Sequence, residues 1–318
     1  MRAVSLEVAE LDPKGLKGDR TFMVVSPLPV PMWGEFGPND STHRFLTQRQ
    51  CPSLATVVSK VEDGFLTLTY TGNKSISKKS IKIHVQPSKP TTNLRAGIWS
   101  DQVIVDDMGD EAAAFFQSIV DSDPDCTSGD EGDQRVSSPS MYQNVRLVSH
   151  TRNDRLSDRR FVPSVARSWF TDQSPPVALS DGFPILIASQ ASLDEVNRRL
   201  VQQGKEAIPM SRFRPNIVLK SKSLEPFEED KWKVISIGNA LFSIVKACPR
   251  CKQSCTDQET GKVSSEPVSI MSTFRAVGPD VADVFFAQNV VPITTNGTIR
   301  KGDPVHVLQR GDPVFAAV

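Results

Sequence analysis

Trp232-Lys-Val-Ile-Ser-Ile-Gly-Asn-Ala-Leu-Phe-Ser-Ile-Val-Lys-Ala-Cys248 is the stretch on which the reading of this chain turns. Two apolar runs, Trp232 to Ile237 and Ala240 to Ala247, flank the turn-forming pair Gly238-Asn239. The pattern predicts a β-hairpin that delivers the chain directly to Cys248. Similar signals recur on both sides. Thr21 to Val25 follows Gly18-Asp19 and gives way to a loop begun by Pro27, Pro29 and Pro31. Gly64 to Tyr70 alternates apolar and polar residues, as a half-buried strand does. Ile217-Val218-Leu219 reads as a short strand, and Gly297 to Leu308 as strand, tight turn, strand.

Helix signals are fewer. Asp110 stands as a cap before Glu111 to Val120, with acidic residues at the positive end. Ser192-Leu-Asp-Glu195 reads as a capping box, Leu193, Val196 and Leu200 share a face, and Gly204 ends the helix. The weak alternation at Ile81, Ile83 and Val85, inside a Lys- and Ser-rich stretch over 71–93, reads as an exposed hairpin. Asp121 to Ser140 holds six acidic residues, two glycines and two prolines, too polar to bury a core, and reads as a linker or surface loop. The fold class expected is mixed α/β, β-rich and barrel-like, divided as 1–120, a linker over 121–140, and 141–318.

The chain's 318 residues suggest about two domains. Its 37 basic and 37 acidic side chains cancel, which argues against nucleic acid as a partner. The four histidines, His43, His84, His150 and His306, are far apart in sequence, which disfavours His-based hydrolases and HExxH metalloproteases. Neither a signal-peptide core nor 18 consecutive apolar residues is present, so the chain as given reads as intracellular and cytoplasmic. Five cysteines, three of them within eight positions, fit a reducing compartment and a reactive or ligating cluster better than a disulfide framework.

That cluster is Cys248-Pro-Arg-Cys251-Lys-Gln-Ser-Cys255. Its spacing allows zinc or an iron–sulfur cluster, but a fourth ligand is wanting, since Cys51 and Cys126 are isolated in sequence. The cysteines could equally be small buried residues. Lys246, Arg250 and Lys252 favour a third reading, one thiolate among cations. A second constellation is Ser211-Arg212-Phe213-Arg214-Pro215-Asn216. Pro215 is expected to push Arg214 into an extended conformation. Arginine followed by an amide suits a multiply oxygenated or phosphorylated ligand, and a surface ion pair with Glu225 or Glu228 is the plain alternative. Asp19-Arg20 reads by default as an ion-paired turn.

Phe213-Arg-Pro-Asn-Ile-Val218, Glu228-Glu-Asp-Lys-Trp232, Ile237-Gly238, Cys248-Pro-Arg-Cys251, Thr256-Asp-Gln-Glu-Thr-Gly261 and Gly297 to Val305 together resemble the MOSC domain. Gly15-Leu-Lys-Gly-Asp-Arg20, Thr47-Gln-Arg-Gln-Cys-Pro-Ser-Leu54 and Asp106 to Ala113 resemble the β-barrel domain that precedes MOSC in the amidoxime-reducing components and their relatives. The resemblance implies an N-terminal MOSC β-barrel, a MOSC β-barrel with a few helices, and a bound molybdenum cofactor (Mo-molybdopterin). It assigns Cys251 as the metal ligand and catalytic residue, with Pro249 and Arg250 adjoining the metal. Arg20, Arg214 and Asn216 fall at positions that hold the pterin and its phosphate, and Ser180, Asp181 and Gly182 match a further contact loop.

The activity implied is two-electron reduction of N-hydroxylated compounds: amidoximes, hydroxylamines and hydroxamic acids. Electrons would come from an external donor, cytochrome b5 and its reductase. A non-catalytic cofactor carrier and a sulfurase-type MOSC protein are the alternatives. Relatives open with a strand ending in Lys-Ser-Cys just before the stretch seen here as Arg2-Ala3-Val4. The expectation is therefore a chain lacking its first barrel strand and two cofactor contacts, binding cofactor poorly. It would meet the mitochondrial outer membrane only through an upstream anchor.

Overall fold

Short strands make up most of the regular structure. In chain order they begin with β1 (Val8–Asp12), β2 (Gly15–Leu16), β3 (Phe22–Pro27), β4 (His43–Leu46), β5 (Val57–Glu62), β6 (Phe65–Tyr70), β7 (Ser80–His84), β8 (Leu94–Ile98), β9 (Asp101–Asp107) and β10 (Arg146–Ser149). They continue with β11 (Ile185–Ser189), β12 (Ile217–Leu219), β13 (Trp232–Ile237), β14 (Ala240–Arg250), β15 (Val284–Pro292), β16 (Gly297–Arg300) and β17 (Val305–Arg310). The α-helices among the described residues are α1 (Asp110–Val120), α2 (Gln190–Gln202) and α3 (Val268–Ser272). The computed structural model describes residues 4–27, 41–72, 79–86, 94–99, 101–123, 126, 142–150, 176–277 and 283–315. Pro29, Pro31, residues 73–78 and 87–93 of the 71–93 stretch, nearly all of 124–140 and Arg2-Ala3 lie outside them. No helix of the described residues is long and apolar enough to cross a membrane. The β-rich expectation is borne out.

The chain divides into two compact units. The first comprises Met1–Val4, Arg20–Arg152 and Thr256–Val263. Its five-stranded barrel closes in the order β10-β3-β4-β8-β9, all pairs antiparallel except β4 with β8. A meander β5-β6-β7 accompanies it. The alternation of β6 buries Leu66, Leu68 and Tyr70, and β7 adds Ile83. Against these, α1 lays Ala112, Phe115, Phe116 and Ile119. Gly109, at φ +96°, is the helix N-cap, so Asp110 is the first helical residue and pairs with Arg146 at 2.7 Å.

Two expectations fail in this unit. Cys51 and Cys126 are not isolated thiols: they form a disulfide across 75 residues, both fully buried. The start of the acidic stretch is accordingly built into the core, where Asp123 Oδ2 accepts the Ser53 N–H at 2.8 Å. Composition misses this because a linker's mean polarity says nothing about single residues within it.

The second unit comprises Ser5–Asp19, Asn153–Cys255 and Ser264–Val318. Its six-stranded sheet runs β12-β11-β15-β14-β13-β17, with β11–β12 the parallel pair. The expected hairpin is β13–β14, closed where Ile237 faces Ala240, with Gly238 at φ +54° in the turn. Strand β14 carries on past Cys248 to Arg250, with register shifts against β15 at Ile244/Lys246 and Ala247/Pro249. Such irregularities re-aim side chains at the end of a strand. β16 and β17 do not pair: β16 joins β1 and β2 in a separate sheet, while β17 edges β13.

Helix α2 begins three residues earlier than its capping-box pattern suggests. Ser189 is the N-cap, its Oγ accepting the Ser192 N–H at 3.1 Å. Glu195 turns instead to Arg198 and Arg199. Gly204, at φ +72°, follows the helix as expected.

Candidate functional site

The end of β14 gives three cysteines three environments. Cys248 is half-buried, and Arg250 Nη1 donates to its Sγ at 3.2 Å. Cys255 is buried, its thiol donating to the Ser265 carbonyl at 3.5 Å, and burial pushes that thiol up from its ordinary pKa. Cys251, between them, is exposed. It opens the turn that follows the strand, its carbonyl accepting from Ser254 N at 3.0 Å and Ser254 Oγ at 2.8 Å. Among the described residues, the one set of three potential metal-ligand atoms within 4.8 Å of each other is Cys51, Asp123 and Cys126. The C-x2-C-x3-C spacing therefore does not gather its thiols into a zinc-like set.

Arg250 also ties the two constellations together. Its Nη2 donates to the Phe213 carbonyl at 2.9 Å, and its guanidinium lies 5.5 Å from the Phe213 ring centroid. Phe213 is wholly buried and stacks on Phe286 of β15 at 3.8 Å, which fixes the turn from the core side. Arg212 Nη1 donates to the Cys255 carbonyl at 2.6 Å. The 211–216 turn and the cysteine loop are thus cross-braced by two arginines. Glu228, one of the alternative ion-pair partners, is occupied by Arg310 at 2.7 Å.

Arg214 is not extended. It adopts φ 55°, ψ 42°, and its N–H closes on the Ser211 carbonyl at 3.2 Å. The proline's preference is overridden because the 3-10 turn Met210–Phe213 needs a left-handed residue to reverse into β12. Asn216 sets where that strand starts. Its Oδ1 accepts the Leu186 N–H at 2.9 Å, its own N–H donates to the Leu186 carbonyl at 2.8 Å, and its Nδ2 donates to Asp19 at 2.8 Å. Asp19 is thereby held by the amide, a partner the ion-paired-turn reading of Asp19-Arg20 did not include.

Arg20 belongs to the other unit and, like Arg214, has a left-handed backbone, at φ 49°. Ser180 (buried), Asp181 (exposed) and Gly182 (half-buried) stand on the approach to β11. The next residue, Phe183, has its ring centroid 5.8 Å from Lys246 Nζ, a buried lysine two residues before Cys248.

Sequence reasoning missed a buried polar network behind this site. Glu229, wholly buried, accepts from Ser192 Oγ at 2.6 Å and Ser189 Oγ at 3.0 Å, while Ser192 Oγ accepts the Phe227 N–H at 2.8 Å. Burial pushes the Glu229 carboxyl above the usual carboxylate range. Asp230 pairs with Arg275 at 2.9 Å and accepts from Gln288 at 2.7 Å, and burial likewise raises its pKa. Arg275 lies over the Phe227 ring at 4.1 Å. The only signal was the Glu-Glu-Asp run before Trp232, and a run of charges alone reads as solvated surface.

The MOSC domain family matches residues 174–306, and the MOSC N-terminal β-barrel domain family matches residues 1–123. The chain is 27% identical over 318 residues to bovine "Mitochondrial amidoxime reducing component 2", covering 96% of this chain and 79% of that protein. It is 30% identical over 269 residues to mouse "Mitochondrial amidoxime-reducing component 1", covering 83% and 68%. It is 27% identical over 298 residues to the "Molybdenum cofactor sulfurase" of Pyricularia oryzae, of which it spans 33%. With both domains in order, and this identity to a mouse relative over most of both chains, the chain belongs to the MOSC-domain proteins that include the amidoxime-reducing components.

Proposed function

We propose that this chain is a molybdenum-cofactor-dependent reductase of N-hydroxylated compounds, with Cys251 as metal ligand. The observation that carries the reading is the division of labour among the cysteines. Cys248 is engaged by Arg250 and Cys255 is buried, while Cys251 is exposed at the end of a strand rooted in the core. A soft thiolate suits a metal that takes sulfur ligands. Arg250, the residue before Cys251, is a cationic donor suited to an anionic pterin. Arg250 Nε is buried with no hydrogen-bond partner among the described residues, a donor still available to an acceptor.

In this reading the bound cofactor supplies the two-electron reducing centre. Cys251 fixes and tunes the metal, and Pro249 and Arg250 adjoin it. Arg20 and Arg214, with Ser180, Asp181 and Gly182, hold the pterin and its phosphate. Asn216, whose amide is committed to Leu186 and Asp19, acts by fixing the strand entry beside Arg214. The domain division at 121–140, an external electron donor of the cytochrome b5 type and a mitochondrial address belong to the same reading, supported by the relatives' resemblance.

Similarity to the sulfurases favours a second reading, a sulfurase-type MOSC protein, with a non-catalytic cofactor carrier as the other alternative to the reductase. Metal analysis and benzamidoxime turnover by dithionite-reduced protein separate the reductase from both. The expected result is bound molybdenum that is lost in Cys251→Ala and retained in Cys255→Ala, with turnover. Molybdenum without turnover favours the carrier, and molybdenum retained in Cys251→Ala removes Cys251 as ligand.

A further inference from the structure

The Cys51–Cys126 disulfide lies beside the segment Thr256–Val263 of its own unit. Cys51 ends the Thr47–Cys51 turn, its N–H donating to the Thr47 carbonyl at 2.9 Å. From this turn Gln48 reaches Gln258 in a reciprocal amide pair, 3.2 Å one way and 2.9 Å the other, both side chains buried. Immediately past Cys51, the Pro52–Ser53 backbone is the surface against which Gly261 packs. A Cβ added at Gly261 would sit 3.4 Å from the Pro52 carbonyl oxygen. The stretch Thr256–Val263 is therefore seated on the residues flanking Cys51, all within the first unit. In sequence, that stretch begins five residues after Cys251.

We propose that Cys51–Cys126 is a thiol–disulfide site whose oxidation state sets how firmly Thr256–Val263 is held. In the oxidised state the cystine fixes Cys51 to Cys126, and with it the Pro52 platform. In the reduced state an external dithiol attacks one sulfur and the S–S bond breaks. The dithiol's electron pair passes to the cystine, each cysteine takes a proton, and the dithiol leaves as its cyclic disulfide. Asp123 makes the reduced state a defined one. Its Oδ2 lies 3.4 Å from Cys51 Sγ, placed to accept the S–H that only the reduced form has. A cross-link gone from beneath a two-point contact lowers its local opening free energy without removing the contact. The coupling concerns the chain's own backbone and stands apart from the molybdenum reading.

Hydrogen exchange on the full-length protein tests this, comparing oxidised, dithiothreitol-reduced and Cys126→Ser forms. Amides of β6 serve as a control within the same unit. Alkylation after denaturation should first find three reactive cysteines in the oxidised form and two more after reduction. The expected result is exchange roughly tenfold faster at 256–263 in both the reduced and the Cys126→Ser forms, through local opening that leaves β6 the slower of the two. Equal exchange at 256–263 in all three forms overturns the proposal. So does exchange at 256–263 that merges with that of β6 in every form, which means the segment opens only with the whole unit, or five reactive cysteines in the oxidised form.

Discussion

Arg214 carries a left-handed backbone at a position where glycine would be easier, and it precedes a proline. Such a residue costs about 1–3 kcal/mol and persists where its surroundings over-determine it. Here the Phe213 anchor, the Arg250 brace and the Asn216 clamp do so. Arg20 shows the same backbone in the other unit. The side chain is thus retained against its own conformational preference, which fits a binding role. Replacing Arg214 with glycine relieves the strain and adds unfolded-state entropy, two effects of about 1 kcal/mol that oppose each other. Arg214→Gly should therefore melt no lower than Arg214→Ala, while both lose molybdenum retention several-fold. Calorimetry beside metal analysis checks the pair, and a glycine variant clearly less stable than the alanine variant contradicts the account.

At the scale of elements, the turn before β13 and the N-terminus of α2 are locked together through Glu229. The lock is a buried carboxyl accepting from two serines, and its proton has a direction of effect. Burial raises the folded-state pKa above the ordinary carboxylate value. The folded chain therefore holds this proton more tightly than the unfolded chain does. The stabilisation is complete below the unfolded pKa of about 4.3 and is lost as pH rises through the folded value. Glu229→Gln keeps an acceptor and removes the titration. Its unfolding free energy, from urea titrations across that window, should fall less steeply with rising pH than in the parent. Asp230, shifted the same way, keeps part of the slope. Parallel slopes in parent and variant would show that Glu229 does not titrate there.

For the whole molecule, the cross-link across 75 residues is the longest-range covalent constraint among the described residues, and it encloses β5 to β9 and α1. Chain-entropy arguments assign a loop of that length about 4 kcal/mol of stabilisation through the unfolded state. Reduction should lower the urea midpoint of the first unit accordingly. The second unit has no disulfide among its described residues and should change little. Separate tryptophan probes check this: Trp99 reports on the first unit and Trp232 on the second. An unchanged Trp99 transition after full reduction contradicts the assignment.

Periodicity and turn chemistry carried much of the fold. The alternation of Gly64 to Tyr70, the Gly238-Asn239 turn and the Gly204 stop are properties of neighbouring residues and survive in the structure unchanged. The same holds for the cysteine-arginine motif, whose chemistry is legible wherever it is placed. Pairings between distant residues were not legible. Cys51 meeting Cys126, β17 choosing β13 over β16, Ser189 rather than Ser192 capping α2, and Arg214 turning left-handed before a proline each depend on partners brought close by other elements. Local sequence sets which conformations are cheap, and it named the elements and the candidate thiols. Burial and long-range contact decide which expensive conformation is held, and they selected Cys251 as the exposed cysteine of its cluster.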